Sequence, residues 1–156
     1  MKWPWSKSND RNYANGAAEV RNDFVKRVFA TNTGELHKLL PTRDLNYCAL
    51  EEGELKAFLW KYHNPSLTYH SNSDEFPDCD DFALMARGSV VYGAAKCGFK
   101  YPVLFGGLSY YSRRLKGWHR ANWAITAAGK LLVFEPQTGE WYNWADEVEK
   151  FREANI

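Results

Sequence analysis

Apolar positions follow a helical spacing through the first part of the chain. Over residues 15–30 they recur three and four apart with charged residues between them, which predicts an amphipathic helix. A second helix is predicted over residues 51–62, and Pro65 ends it because the residue before a proline is disfavoured in the helical region. Residues 64–77 are rich in Asn, Pro, Ser and Asp, which predicts a loop.

A third helix is predicted over residues 79–96, and its pattern differs from that of the first two. Asp78 is a good N-cap and Gly98 a good stop signal. Over residues 82–95 the only charged residue is Arg87, and small residues are frequent. A helix that is apolar nearly all round is typically buried, so we expect this one to be the central helix.

Alternating spacing replaces helical spacing after residue 98, which is typical of strands. Strands are predicted over residues 101–105, 118–126, 131–135 and 140–144, and a terminal helix over residues 145–154. The predicted fold class is α+β, with the central helix packed on an antiparallel sheet. Residues 1–13 are predicted to be an N-terminal arm. Residues 14–156 are predicted to form one domain, helical over about 14–98 and sheet-like over about 99–145.

Composition and charge narrow the range of functions. The 156 residues are 45% apolar with a net charge of +1, which indicates a folded globule and gives no reason to expect nucleic acid or a membrane as partner. No apolar run approaches the roughly 18 residues of a spanning helix, and we see no signal peptide. Three cysteines suit a reducing compartment better than a disulfide framework. We therefore expect a soluble cytoplasmic protein, monomeric or homodimeric.

Cys79 is the candidate nucleophile. It begins the predicted central helix, where the helix dipole favours a thiolate and free backbone N–H groups can face an oxyanion. Cys48 and Cys97 lack this placement. A small buried cysteine is the alternative, but the helix start and a histidine on a downstream strand favour chemistry.

His119 is the candidate base among the four histidines. Together with Ala121, Trp123 and Ile125 it falls on one face of its predicted strand, and this face is expected to point inward. An imidazole there can pair with a thiolate at the helix start. A core histidine bonded to a backbone carbonyl is the alternative.

Glu135 is the candidate third residue of the triad. The length of the turn before its predicted strand decides whether its side chain can reach His119. A two-residue loop sets position 122 opposite 135 and turns Glu135 away from His119. A three-residue loop with Gly129 in the left-handed region sets 121 opposite 135, which makes Glu135 a diagonal neighbour of His119. The triad therefore requires an odd loop or a bulge. If neither exists, the substitutes are Gln137 and Asn143.

Five acidic residues surround the predicted start of the central helix: Asp74, Glu75, Asp78, Asp80 and Asp81. Negative charge beside a thiol raises its pKa and opposes ionisation. Helix capping accounts for some of these acids, and a hard divalent cation such as Ca²⁺ would neutralise the rest. The spacing is not that of an EF-hand, and a solvated acidic loop is the alternative.

Three motifs come in order along the chain, Asp-Cys-Asp-Asp-Phe-Ala from Asp78, Trp-His-Arg-Ala-Asn-Trp-Ala from Trp118 and Phe-Glu-Pro-Gln-Thr-Gly from Phe134. Together they resemble the papain-like cysteine protease domain of the Marasmius oreades agglutinin family, over roughly residues 45–145. More distantly, the chain is similar to bacterial transglutaminase-like cysteine peptidases. The resemblance implies a papain-like or transglutaminase-like fold, calcium-dependent proteolysis, and a bacterial or phage protein that acts inside a host cell.

The same resemblance implies a role for each matching residue. Cys79 is the implied nucleophile, His119 the base and Glu135 the orienting acid. The implied calcium ligands are Asp78, Asp80, Asp81 and Glu135. No glutamine precedes Cys79 to donate to an oxyanion, so Asn72 or Ser73 would assist the backbone N–H of Cys79. We find no lectin domain, so sugar binding does not carry over.

We therefore expect a cysteine peptidase or related amide hydrolase with a Cys79–His119–Glu135 triad and a protein or peptide substrate. Candidate cleft residues are Trp118, Trp123 and Trp141. Two alternatives stay open: a non-catalytic binding or inhibitor module on the same fold, and an acyl-transferring enzyme of the transglutaminase-like type. Selective alkylation of Cys79 near neutral pH would favour the enzymes over the binding module.

Overall fold

A computed structural model describes residues 13–35, 38, 44–63 and 77–156. The predicted N-terminal arm, except Tyr13, lies outside these residues, as do Asn72 and Ser73. Within the described part, no helix is long and apolar enough to cross a membrane.

The first half of the chain contains a small sheet that the sequence did not predict. After a 3₁₀ turn at Tyr13–Gly16, strand β1 (Ala18–Arg21) pairs antiparallel with β2 (Asn46–Ala49). Helix α1 (Asn22–Thr33) lies between them in the chain and ends at Gly34, which adopts a left-handed conformation. The predicted helix over 15–30 was therefore wrong at its start, because residues 18–21 pair as a strand.

Helices α2 (Glu52–Tyr62) and α3 (Cys79–Lys96) confirm the second and third predicted helices. The apolar stripe of α2 is buried against α3. Gly93 permits this close packing, because a Cβ there would lie 2.6 Å from the ring of Tyr62.

The main sheet has five strands in the order β6-β5-β4-β3-β7, all antiparallel. The strands are β3 (Phe105–Ser112), β4 (Gly117–Ile125), β5 (Leu131–Glu135), β6 (Glu140–Asn143) and β7 (Val148–Asn155). A short helix, α4 (Trp144–Glu147), joins β6 to β7. The α+β class with an antiparallel sheet is confirmed.

The terminal helix predicted over residues 145–154 was wrong, because most of this segment forms the edge strand β7. Its buried residues are Val148, Phe151 and Ala154, whose spacing of three imitates a helix. The pairing of β7 with β3 contains two register shifts. Such bulges add residues to one strand, so the inward positions fall three apart instead of two.

The main sheet is covered on both faces. Alternate residues of β4 enter two different cores: Ala121, Trp123 and Ile125 pack with α1, whereas Ala124 packs with α2 and α3. Helix α3 therefore lies on the sheet as expected. It is not buried all round, however, since Leu84, Val91 and Tyr92 on its outer face are between 63% and 69% exposed. That part of the prediction was wrong because α3 packs on the sheet and α2 through one face only.

Gly106 offers a test of the tight packing at the end of the sheet. A Cβ on Gly106 would collide with the backbone oxygen of Asn155 and lie 2.6 Å from Nε1 of Trp123. We expect Gly106→Ala to lower the free energy of unfolding in urea by about 2–4 kcal/mol. Gly88→Ala is the control, since nothing lies within 4 Å of its added methyl group. Replacing this helical glycine should raise stability by about 0.5–1 kcal/mol, and equal effects of the two changes would contradict the packing described.

Candidate functional site

The first turn of α3 is held by a reciprocal cap. The Asp78 carboxylate accepts hydrogen bonds from the backbone N–H groups of Asp80 (3.0 Å) and Asp81 (3.3 Å). The Asp81 carboxylate in turn accepts from the N–H of Asp78 at 3.1 Å. This capping box satisfies donors that a helix otherwise leaves open, and it fixes Cys79 as the first helical residue.

Asn122 joins α3 to the sheet from inside the protein. Its side chain is fully buried, and its Nδ2 donates to the carbonyl oxygens of Ala83 (3.0 Å) and Gly106 (3.2 Å). Ala83 lies one turn after Cys79, and Asn122 lies three positions after His119 in β4. The bonds of one amide therefore fix the start of the helix relative to the histidine strand.

The turn between β4 and β5 has the geometry that the triad requires. Ile125 pairs with Leu131 and Asn122 with Phe134, which leaves a three-residue loop at 127–129. Gly129 has a φ of 82° and supplies the left-handed residue of that loop. Continuing the register sets Glu135 opposite Ala121, and His119 Nε2 lies 2.7 Å from Glu135 Oε2.

The Cys79 thiol completes the cluster, since both Cys79 and Glu135 interact with the His119 ring. Burial lowers the pKa of His119, but the interactions with Cys79 and with the Glu135 carboxylate outweigh it and raise the pKa to about 9. His119 is therefore a cation at neutral pH. Chemically, the arrangement can hold a thiol or thiolate against an imidazolium that a buried carboxylate keeps in place.

Two residues that the sequence analysis did not single out, Arg114 and Glu147, support this cluster through charge and hydrogen bonds. Arg114 lies 3.4 Å from Glu135 Oε2 and 3.6 Å from Glu147 Oε1, so one guanidinium lies between two buried carboxylates. Glu147 also accepts hydrogen bonds from Tyr110 (2.8 Å) and Ser112 (2.7 Å). Arg114 and Glu147 both lie outside the three sequence motifs, so no local signal marked them.

The described carboxylates do not fit a calcium site. The carboxylates of Asp78 and Asp81 bond backbone N–H groups, Asp80 faces Arg120 at 3.8 Å, and Glu135 binds His119. Among the residues that the structure describes, no group of three or more His, Cys, Asp or Glu side chains could hold a metal ion. Asp74 and Glu75 lie outside the described residues.

The three candidate cleft tryptophans have different environments. Trp118 is 57% exposed, and its ring packs edge-on against Tyr111. Trp141 is half-buried against Phe134. Trp123 was wrong as a cleft residue: it is fully buried, and its Nε1 donates to the carbonyl oxygen of Asn155 at 2.8 Å. Its position on the inward face of β4 was itself the sequence signal for this burial.

A cavity of about 220 Å³ adjoins Cys79, whose sulfur lies 3.7 Å from the carboxylate of Asp80 in the cavity lining. It is lined by Asp80 and Arg120, the residues directly after Cys79 and His119, and by Ala83, Leu84, Arg87, Gly107 and Asn155. A larger cavity of about 370 Å³ extends along α3 to Tyr101; it shares Arg87 with the smaller cavity and contains none of Cys79, His119 and Glu135.

Comparison with known proteins gives a fold but no family. No family model matches the sequence, and no curated protein matches it. A solved structure described as a PSL1a–E64 complex shares the fold with a TM-score of 0.67 and 22% identity. So does the Polyporus squamosus lectin bound to the human-type influenza-binding epitope Neu5Acα2-6Galβ1-4GlcNAc, with a TM-score of 0.66 and 22% identity.

Each match covers 88% of this chain but only 50% or 49% of the solved chain. This chain thus spans about half the length of those proteins, and neither description assigns its bound molecule to the shared half. At this identity the likeness shows the fold alone.

These comparisons correct the expected activity. The two solved structures named above are described as complexes of PSL1a and of a lectin, and neither description mentions a peptidase. The prediction of a cysteine peptidase or other hydrolase is contradicted, and a protein or peptide substrate is not supported. The alternative of a binding module agrees better with these matches.

The charge of His119 predicts how stability depends on pH. Its pKa rises from an ordinary value near 6.5 to about 9 on folding, so its protonation stabilises the folded state fully below pH 6.5. This contribution is lost as the pH rises through 9. A shift of this size corresponds to about 3 kcal/mol. Urea unfolding of the protein and of His119→Asn should differ most at pH 6 and least at pH 10. A constant difference would contradict the assigned pKa.

Arg114 should matter more than its neighbour Arg113. Arg114→Gln leaves two buried carboxylates without their shared cation, and we expect a loss of about 1–2 kcal/mol because the guanidinium is itself partly exposed. Arg113→Gln removes the same charge from an exposed side chain and should change stability by less than about 0.5 kcal/mol. Equal losses in thermal or urea unfolding would show that the carboxylates do not depend on Arg114.

Proposed function

We propose that the chain is a non-catalytic binding module that holds a ligand at the Cys79 site, defined by Cys79, His119, Glu135 and the adjoining cavity. The observation that carries this proposal is a partly exposed thiol, clustered with His119 and Glu135, whose sulfur lies 3.7 Å from Asp80, a residue that lines a cavity of about 220 Å³. A concave site with a few converging polar groups is the usual form of a ligand site. Finer assignment of the α+β fold as papain-like or transglutaminase-like is part of the same proposal.

The charges and hydrogen bonds at the first turn of α3 favour ligand binding over catalysis. The Asp78 carboxylate already occupies the N–H groups of Asp80 and Asp81, which would otherwise face an oxyanion. The thiol of Cys79 donates to Asp80 Oδ1 at 3.7 Å, so it acts as a hydrogen-bond donor to an acid. A thiol and an imidazolium can both donate hydrogen bonds to the oxygens of a ligand.

The fold matches supply two probes. One is E64, the molecule in the complex with PSL1a. The other is the trisaccharide in the complex with the lectin. A sugar is favoured by Trp118, which is 57% exposed and whose ring carries the Arg152 guanidinium at 5.4 Å, because a flat aromatic face offers a large contact area to an apolar ring face.

Calorimetric titration with E64 tests the proposal at the Cys79 site. We expect saturable binding that is weakened at least tenfold by Cys79→Ser, because the thiol is part of the site. Cys97→Ser is the matched control, since that sulfur lies against the hydroxyl of Tyr62 at 3.1 Å and outside the site. Intact-mass measurement after titration separates the two interpretations: reversible binding supports the binding module, whereas a covalent adduct on Cys79 would indicate an activated thiol and overturn it.

Two further results decide between the classes. Saturable binding of the trisaccharide that Trp118→Ala abolishes would identify a carbohydrate ligand. Failure of both probes to bind, or hydrolysis of a fluorogenic peptide that Cys79→Ser abolishes, would overturn the non-catalytic binding module.

A further inference from the structure

The cavity beside the Cys79 site is lined by more positive than negative charge. Arg87 enters it from α3 and Arg120 from β4, whereas Asp80 is the only acid among its lining residues. Because a cavity with low-dielectric walls focuses the field of its charges, two guanidinium groups there favour an anionic ligand.

The ion pair between Arg120 and Asp80 is weak. Arg120 Nη1 lies 3.8 Å from Asp80 Oδ2, and the two side chains are 35% and 60% exposed. Exposed ion pairs of this kind contribute little to stability. A ligand anion can therefore displace Asp80 from Arg120 at little cost.

Arg87 is positioned without being neutralised. Its Nη1 donates to Asn155 Oδ1 at 3.2 Å, and the same oxygen accepts from the backbone N–H of Gly107 at 3.0 Å. Within the described residues, no carboxylate lies within ion-pair distance of Arg87. A guanidinium has five N–H donors in a planar fork, so most of them remain for a ligand.

The glycine pair at the start of β3 makes this arrangement possible. A Cβ on Gly107 would lie 2.6 Å from Asn155 Oδ1, the oxygen that holds Arg87. The side chain of Asn155 can approach β3 only because Gly107 has no side chain. The position of Arg87 is thus built into the packing of β3 against β7.

We propose that Arg87 and Arg120 form a carboxylate subsite, which receives the anionic end of a ligand whose remainder reaches Cys79 past Asp80. Guanidinium groups bind carboxylates bidentately, and this planar geometry favours a carboxylate over a neutral amide of the same size. The proposal rests on the proposed function and adds the ligand class, which is a small molecule or a glycan with a carboxylate.

Affinity labelling of Cys79 tests the subsite without knowledge of the natural ligand. The probes are 6-maleimidohexanoic acid and its primary amide, which share the thiol-reactive group and differ in the remote carboxylate. Rates of Cys79 modification are followed by peptide mass spectrometry, which separates Cys79 from Cys48 and Cys97. We expect the acid to label Cys79 about fivefold faster than the amide at low salt, and this ratio should fall at high ionic strength.

Arg87→Gln and Arg120→Gln should each bring the ratio of the two rates close to one. Arg113→Gln is the matched control, because it removes an exposed arginine outside the cavity and should keep the ratio. Circular dichroism and thermal unfolding confirm that each variant is folded. A ratio near one in the unchanged protein, or a ratio that survives both substitutions, would overturn the subsite.

The labelling ratio tests the carboxylate subsite and E64 binding tests the binding module, so either proposal can fail without the other. A ratio near one together with E64 binding would remove the carboxylate subsite and leave the binding module. A high ratio without binding of E64 or of the trisaccharide would keep the subsite and remove the proposed function.

Discussion

The buried amide of Asn122 is the contact on which the geometry of the site depends. It donates one hydrogen bond to α3 and another to β3, from a position in β4 that is closed to solvent. A buried hydrogen bond of this kind contributes about 0.5–1.5 kcal/mol to stability. The position of α3 on the sheet is therefore specified, and with it the approach of Cys79 to His119.

Charge neutralisation is the second constraint. The cluster buries two carboxylates, those of Glu135 and Glu147, and buried charges persist only with partners. His119 and Arg114 supply the positive charge, and Tyr110 and Ser112 supply hydrogen bonds. The protonated imidazole is thus a consequence of the buried acid beside it. Through His119 this network holds a cation beside the thiol of Cys79. The cavity lined by Arg87 and Arg120 lies next to that thiol.

Much of this arrangement follows from local sequence patterns. The start of α3 at Cys79 was predictable because capping by Asp78 involves only adjacent residues. The pairing of His119 with Glu135 was predictable up to one choice, the length of a hairpin loop, which Gly129 decides. In both cases the residues that determine the structure lie within one helical turn or one hairpin.

Other features depend on contacts that local patterns do not contain. Strand β7 imitates a helix because bulges in its pairing with β3 place its apolar residues three apart. Strands β1 and β2 pair across a whole helix, and Arg114 meets Glu147 only because β7 returns beside β3. The activity was mispredicted for a related reason: a cysteine, a histidine and an acid in the right order describe a cluster and not its chemistry.

Mapping of E64 contacts by amide chemical-shift perturbation tests the central claim, which is that the Cys79 site binds a ligand. The account predicts that E64 shifts signals at the start of α3, around His119 in β4 and around Glu135 in β5. Signals near the larger cavity, at Val91 and Tyr101, should stay in place. Shifts confined to that larger cavity, or no shifts at a saturating concentration of E64, would contradict the account.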